Sequence, residues 1–238
     1  MLEVSLGIDV EPDCPPYLAT QYRGIEQGLP KVLELLRQEG VTVTCFTTGE
    51  VAERYPDAVR EILRGGHELG CHGHTHRRFD AMGESDARAE IESSSRALRA
   101  FGPPVTSFRA PNLQFPNAYF PLLEANGYHR DSSQARYKAA YYTRRARSGL
   151  QHIPASMTSS VLRLPGRIRD PLLLALSSPV VLFVHPWEFV DLTRERLRLD
   201  CRFGTGDPAL ASLQEVIALY RRQGARFVPL DGVGGRSA

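Results

Sequence analysis

Short β-branched or apolar runs alternate with amphipathic helical stretches from one end of this 238-residue chain to the other. Strands are predicted over residues 4–11, 41–46, 68–71, 105–109, 128–133, 180–184 and 225–229, with further short pieces over 153–156 and 161–164. Helices are predicted over residues 26–39, 50–55, 56–64, 85–100, 119–126 and 210–222. This alternation indicates βαβ units around a parallel sheet, and no low-complexity linker or fixed repeat interrupts it. We therefore expect a single α/β domain over residues 1–238.

Polar side chains collect where the predicted strands end. They are Asp9 and Glu11, His72 and His76, Arg109, Asp131 and His185. In a β/α barrel, the catalytic groups come from the C-terminal ends of several strands. Five of the predicted strands end in a group that can ligate a metal, titrate or donate a hydrogen bond. A barrel-like parallel sheet with its functional site at that end is therefore expected.

Three histidines occupy alternate positions, His72, His74 and His76, directly after the strand predicted over residues 68–71. Imidazole is the commonest protein ligand of transition metals, and Gly73 leaves the backbone free to turn. His72 and His76, four positions apart, can reach one ion. The alternative is a loop that carries three solvent-facing histidines. The strand-to-turn context favours a metal site.

Asp9 and Glu11 lie two residues apart on one face of the first predicted strand, and prolines stop the strand just after them. Two carboxylates on one face repel each other unless a cation or a proton lies between them. Either carboxylate can therefore complete a metal site with His72 and His76. The other can then serve as general base for a water activated by the metal. A solvated edge strand is the alternative interpretation.

His185 ends the apolar strand predicted over residues 180–184, where it can act as general acid for a leaving amine. Arg109 or Asp131 could hold the acid or the base in its working state. Taken singly, each has a structural alternative. His185 could be a buried hydrogen-bonded histidine, Arg109 a surface ion-pair partner and Asp131 the cap of a turn. One site would explain all of them, and its chemistry would be metal-assisted amide hydrolysis.

The composition is that of a globular protein, with 42% hydrophobic and 24% charged residues, and a net charge of +2 argues against nucleic-acid binding. No apolar stretch reaches the roughly eighteen residues of a membrane span. Residues 1–10 lack the basic and apolar regions of a signal peptide, so we expect a cytoplasmic location. None of the four cysteines forms a CxxC pair, which argues against a zinc ribbon or a redox motif, and Cys45 and Cys71 are expected to be buried.

Residues 136–147 are rich in basic and aromatic side chains. The stretch could bind nucleic acid, or contact an acidic or sugar substrate, and an exposed insertion is the expected outcome. Tyr137, Tyr141, Tyr142 and Trp187 could stack on sugar rings, which favours a carbohydrate substrate.

The order of these motifs resembles that of the polysaccharide deacetylases, also called the NodB-homology domain or carbohydrate esterase family 4. The motifs are IDVE at 8–11, HGHTH at 72–76, RAPN at 109–112, DSS at 131–133 and LFVHPWE at 182–188. The resemblance implies a distorted (β/α)7 barrel in a single domain, with an acid-His-His metal site. It makes His72 and His76 metal ligands, and Asp9 the catalytic base that Arg109 steadies.

The same resemblance makes His185 the general acid and Asp131 the carboxylate associated with it. The first motif departs from the family's usual pair of adjacent aspartates, because a valine separates Asp9 from Glu11. An Asp-Val-Glu subgroup linked to exopolysaccharide loci, and deformylases of lipid-linked aminosugars, are similar in this respect. Glu11 is therefore assigned as the third metal ligand, and its role and that of Asp9 could be exchanged.

The resulting prediction is a metal-dependent deacetylase that hydrolyses the N-acetyl group of an aminosugar, either GlcNAc-type or lipid-linked. One divalent ion is expected, Zn²⁺ first, with Co²⁺, Ni²⁺, Mn²⁺ and Fe²⁺ as alternatives. The alternative enzymes are a same-fold amidohydrolase that opens a cyclic imide or ureide, and a deformylase of a lipid-linked aminosugar. A barrel that only binds sugar is disfavoured, because the residues expected to ligate and catalyse are all present.

Overall fold

A curled sheet of parallel strands forms the centre of the computed structural model, which describes residues 1–143 and 148–235. Its strands are β1 (Glu3–Val10), β2 (Thr44–Thr47), β3 (Glu68–Cys71), β4 (Ser107–Phe108), β5 (Arg130–Asp131), β6 (Gln151–His152), β7 (Val180–Val184) and β8 (Arg226–Phe227). In the described part of the chain, the strand order is β6-β5-β4-β3-β2-β1-β7, and β8 pairs with the start of β1. The predicted fold, a distorted parallel barrel in one domain, is confirmed.

The helices surround this sheet. They are α1 (Leu29–Glu39), α2 (Gly49–Arg54), α3 (Pro56–Arg64), α4 (Glu84–Arg99), α5 (Phe120–Ala125), α6 (Ala139–Thr143), α7 (Ser159–Leu162), α8 (Gly166–Leu174), α9 (Leu199–Arg202) and α10 (Asp207–Arg222). A short π-helical turn, Gly24–Gly28, precedes α1. Each of the long predicted helices is found within a few residues of its expected bounds. No helix in the described ranges is both long and apolar enough to cross a membrane.

Strand β1 separates two environments. Its alternate residues Val4, Leu6, Ile8 and Val10 are buried in the core that the strand shares with α1 and α10. The intervening residues face the inside of the barrel, where Asp9 lies beside a buried arginine. The period of two that predicted this strand therefore also separates its packing face from its functional face.

The predicted strand over residues 161–164 is wrong, because these residues end α7 and the turn that follows it. A short apolar run does not distinguish a strand from one turn of a buried helix. The piece predicted over 153–156 contains one isolated bridge, Ala155 to Ala135, and the strand itself lies just before it as β6. The basic part of the stretch 136–147 lies largely at 144–147, outside the described residues.

Candidate metal centre and active site

The C-terminal ends of four strands meet around one cavity. Glu11 directly follows β1, His72 follows β3, Arg109 follows β4 and His185 follows β7. The cavity has a volume of about 360 Å³, and its lining includes the side chains of Asp9, Glu11, His72, His76 and His185. The structure therefore brings together distant chain segments that the sequence marked separately.

Glu11, His72 and His76 form a compact three-ligand cluster. Glu11 Oε2 lies 3.2 Å from Nε2 of His72 and 2.5 Å from Nε2 of His76. One ligand atom from each residue lies within 4.8 Å of the other two. Burial alone would raise the pKa of Glu11, but the charges of His76 and His185 and hydrogen bonds from both cluster histidines hold it well below its usual value. A carboxylate that is anionic beside two imidazoles has the donor set of a divalent transition-metal site.

A backbone contact determines which nitrogen of His72 faces the cluster. Nδ1 of His72 lies 2.7 Å from the carbonyl oxygen of Arg109. A carbonyl can only accept a hydrogen bond, so Nδ1 carries a proton, and in the neutral ring Nε2 then presents its lone pair to Glu11. Two acceptors that face each other across 3.2 Å require a cation or a proton between them. The residues therefore fit a metal ion, held by a histidine whose orientation is fixed by the shell around it.

Hydrogen bonds to a neighbouring helix hold the loop that carries the two cluster histidines. Glu90 of α4 accepts hydrogen bonds from the backbone N–H groups of His74 and Thr75, both at 2.9 Å, and from the Thr75 hydroxyl. His76 itself has a φ of +59°, a left-handed conformation that is costly for a residue with a side chain. His74 points away from the cluster and packs against Gly49. Glu90 is therefore a support of the ligand loop that the sequence did not reveal.

Asp9 is oriented by Arg109. Nη1 of Arg109 donates to Asp9 Oδ1 at 2.8 Å, and Nη2 donates to Ser132 Oγ at 3.0 Å. The guanidinium is fully buried and lies over the ring of Phe46, 4.2 Å from its centroid. Gly7 makes room for it, because a Cβ at that position would lie 2.6 Å from Arg109 Nη1. Asp9 Oδ2 remains on the cavity side, 4.0 Å from His185 Nε2.

His185 is oriented by a buried carboxylate. Glu188 Oε1 accepts hydrogen bonds from Nδ1 of His185 at 2.7 Å and from its backbone N–H at 3.1 Å. The other oxygen, Oε2, pairs with Arg163 Nε at 2.9 Å. Burial would lower the pKa of His185, but the charges of Glu11 and Glu188 raise it to about 9. His185 Nε2 thus faces the cavity while Nδ1 is held.

The expected pairing of Asp131 with His185 is corrected by these contacts. Asp131 Oδ2 lies 2.9 Å from Nδ1 of His152, directly across the β5–β6 ladder, and its Oδ1 accepts from the backbone of Ser133. Glu188 is the carboxylate that holds His185. The signal for Glu188 was present in its spacing, three residues after His185 in the same turn. Arg163 had no such signal, because it reaches this pair from a distant segment.

A model of the polysaccharide deacetylase family matches residues 11–130, which is half of the chain. The chain belongs to the polysaccharide deacetylase family. The match includes both histidines of the cluster and Arg109, and the same sheet continues beyond the matched residues to β7, which precedes His185. The resemblance that the motifs indicated is therefore confirmed, whereas its Asp-Val-Glu subgroup stays a prediction.

Two named relatives illustrate the match. The chain is 25% identical over 142 residues to a peptidoglycan deacetylase of Helicobacter pylori. This alignment covers 55% of this chain and 48% of that protein. The chain is also 32% identical over 96 residues to a peptidoglycan-N-acetylglucosamine deacetylase of Bacillus cereus. This alignment covers 40% of this chain and 30% of that protein. The matches thus span less than half of the length of these relatives.

A solved structure of a peptidoglycan N-acetylglucosamine deacetylase superposes on this polysaccharide deacetylase domain with a TM-score of 0.66. The superposition covers 99% of this chain and 89% of that chain, at 20% sequence identity. At this identity the likeness establishes the fold, and it agrees with the barrel that the sequence predicted.

Proposed function

We propose that this protein is a metal-dependent hydrolase that removes the N-acetyl group from an aminosugar, GlcNAc-type or lipid-linked. The observation that carries the proposal is the placement of the Glu11-His72-His76 cluster beside Asp9 and His185 in one cavity. Membership of the polysaccharide deacetylase family, and relatives named as peptidoglycan deacetylases, support the substrate class.

Glu11, His72 and His76 would hold the divalent cation, Zn²⁺ as the first expectation, and when bound it would polarise the amide carbonyl and lower the pKa of a water. In this proposal Glu11, and not Asp9, is the third ligand. Glu11 Oε2 faces both imidazoles, whereas one oxygen of Asp9 is already bound by Arg109. These contacts support Glu11 as the third ligand and Asp9 as the base, the assignment that the resemblance implied.

Asp9 would act as the general base. Arg109 fixes its Oδ1, so that Oδ2 faces the cavity and can accept a proton from the attacking water. His185 would act as the general acid on the opposite side. Its Nε2 lies 4.0 Å from Asp9 Oδ2 and 3.8 Å from Glu11 Oε1, so base and acid flank the same small space.

The cavity walls suit a sugar. Tyr17, Tyr137 and Trp187 line it, and the two tyrosines are 48% and 41% exposed. Aromatic rings of this kind offer apolar faces to the C–H groups of a pyranose, while the polar end of the cavity receives the amide. The volume of about 360 Å³ accommodates a small ligand or one residue of an oligomer.

The test is acetate release from N-acetylglucosamine oligomers and lipid-linked N-acetyl sugars, with N-formyl sugars and cyclic imides as competing substrates. We expect acetate release that a chelator abolishes and Zn²⁺ restores. His72→Ala should lose both bound metal and activity, whereas His185→Ala should keep the metal and lose turnover by roughly 10²- to 10⁴-fold. His129→Ala, an exposed histidine outside the cavity, is the matched control. Hydrolysis by metal-free protein, or hydrolysis of imides alone, would refute the proposal.

A further inference from the structure

Cys14 and Cys201, 187 positions apart in the chain, meet in the wall of the cavity. Cys14 lies three residues after Glu11, and Cys201 belongs to α9. Cys14 belongs to an apolar cluster that contains Trp187, and Cys201 packs against the same cluster. Neither cysteine has a role in the site described above.

Both cysteines are held in place by contacts of their own segments. Asp13 accepts hydrogen bonds from the backbone N–H groups of Gly24 and Arg23, at 2.8 and 3.1 Å, which anchors the segment before Cys14. On the other side, Arg163 donates to the carbonyl oxygens of Asp200 at 2.7 Å and of Cys201 at 3.4 Å. The fold therefore fixes both cysteines in the same wall of the cavity.

The two thiols differ in accessibility and in charge environment. Cys14 is 2% exposed, whereas Cys201 is partly exposed on the cavity side. The interaction with Cys14, aided by the positive charges of Arg198 and Arg163, lowers the pKa of Cys201. The interaction with Cys201, together with burial, raises the pKa of Cys14. Cys201 is thus the thiol that external reagents can reach, and it lies next to a second thiol that they cannot.

The other two cysteines provide an internal comparison. Cys45 and Cys71 are fully buried in the strands of the sheet, and neither lines this cavity. Burial raises the pKa of both thiols. They have the properties of inert core residues, as the sequence predicted, and only the Cys14–Cys201 pair has the features of a reactive site.

We propose that Cys14 and Cys201 form a reversible disulfide by exchange with a low-molecular-weight disulfide such as glutathione disulfide, with Cys201 as the attacking thiol and Cys14 as the resolving thiol. This proposal does not depend on the proposed hydrolase activity. The absence of a CxxC pair argued against a redox motif in the sequence, and the spacing gave no reason to associate these two cysteines.

The exchange occurs in two displacements. Cys201 thiolate attacks one sulfur of glutathione disulfide, which forms a mixed disulfide and releases one glutathione thiolate. Cys14 then gives up its proton, and its thiolate attacks the sulfur of Cys201 and releases the second glutathione. Two protein thiols are oxidised to one disulfide and one glutathione disulfide is reduced to two thiols. The two protein protons end on the released glutathione sulfurs.

The pairing has a consequence for the cavity. A glutathione tripeptide left on Cys201 would occupy the space beside Trp187 and Glu11, which the substrate is proposed to use. Attack by Cys14 expels that tripeptide and leaves a disulfide in the wall. The buried thiol therefore protects the cavity from a lasting adduct, at the cost of tying the segment after β1 to α9.

The experiment treats the folded protein with glutathione disulfide and maps the products by mass spectrometry under non-reducing conditions. We expect the wild-type chain to yield a peptide pair joined through Cys14 and Cys201, with no retained glutathione, and dithiothreitol to restore both thiols. Cys14→Ser should retain one glutathionyl group on Cys201, and Cys201→Ser should remain unmodified. Cys45 and Cys71 should react only after denaturation, and circular dichroism melts verify that each variant is folded.

A retained glutathione adduct on the wild-type protein would overturn the proposal, because Cys14 would not be resolving. Equal reaction of Cys201→Ser and wild type would overturn the assignment of Cys201. Failure of the wild-type protein to form the disulfide, while a small thiol reagent labels Cys201, would show that the two sulfurs do not meet. The disulfide mapping of the wild-type protein needs no variant, so this result does not depend on whether the substituted proteins fold.

Discussion

The indole Nε1–H of Trp187 donates a hydrogen bond to Glu11 Oε1 at 3.3 Å, while Glu11 Oε2 faces the two imidazoles of the cluster. The indole ring also stacks on His185, with ring centroids 4.8 Å apart and an interplanar angle of 20°. Trp187 therefore contacts both the carboxylate proposed as metal ligand and the imidazole proposed as acid. One side chain couples the orientation of the two halves of the site.

Replacing Trp187 with Phe should weaken metal binding. The substitution keeps an aromatic ring beside His185 and removes the donor to Glu11 Oε1, so the carboxylate is free to rotate. Loss of such an outer-shell partner typically costs roughly 10- to 100-fold in metal affinity. Competition with a chromogenic zinc chelator measures the change. Tyr17→Phe, which alters another aromatic residue of the same wall, is the control, and equal affinity in all three proteins would contradict the expectation.

Glu188→Gln should move the high-pH limb of kcat to lower pH. A general acid works only while protonated, so turnover falls as the pH rises through the pKa of His185. The charge of Glu188 helps to raise that pKa, and its removal lowers the pH at which the proton is lost. Asp131→Asn should leave this limb in place, because Asp131 contacts His152. A shift of the high-pH limb in Asp131→Asn, with no shift in Glu188→Gln, would instead support the pairing of Asp131 with His185 that was expected from the sequence.

The error over Asp131 has a physical origin. The sequence places Asp131 and His185 at strand ends. The strand ends of a parallel sheet converge at one edge, which was enough to bring the residues of the Glu11-His72-His76 cluster together in the prediction. The position at a strand end does not by itself show which carboxylate reaches a given imidazole. His152 lies opposite Asp131 in the adjacent strand and binds it locally, while Glu188 binds His185 within one turn. Sequence periodicity thus predicts the fold and the edge of the sheet where the site lies. Short-range geometry decides which carboxylate binds which histidine.

Other contacts were beyond sequence reasoning for a different reason. Arg163, Glu90 and the Cys14–Cys201 pair act across chain separations that no local pattern records. The site at the end of β3 was predictable because its three histidines lie within five consecutive residues. Residues that support a site from other helices are set by packing, and packing becomes visible only in three dimensions.

Gly7→Ala should disturb the proposed active site by displacing Arg109. A Cβ at this position would lie 2.6 Å from Nη1 of Arg109 and 3.2 Å from the Phe46 ring on which the guanidinium lies, so the arginine must move. We expect a loss of about 1–3 kcal/mol in the free energy of unfolding from overpacking. Turnover should fall by about 10²-fold, because Asp9 loses its fixed orientation, while metal content is retained. Gly83→Ala, where an added Cβ meets nothing within 4 Å, is the matched control.

The stability of the fold should fall as the pH drops below the ordinary pKa of histidine, because of His67. Its Nδ1 accepts a hydrogen bond from the backbone N–H of Val43 at 3.3 Å, which requires a neutral ring, and burial lowers its pKa. Below a pH of about 6.5 the unfolded chain therefore binds a proton that the folded chain resists, so stability rises with pH through this window. The difference in the free energy of unfolding between wild type and His67→Gln, measured by urea denaturation from pH 5 to 8, isolates this residue. A difference that is constant over that range would show that His67 does not titrate differently in the two states.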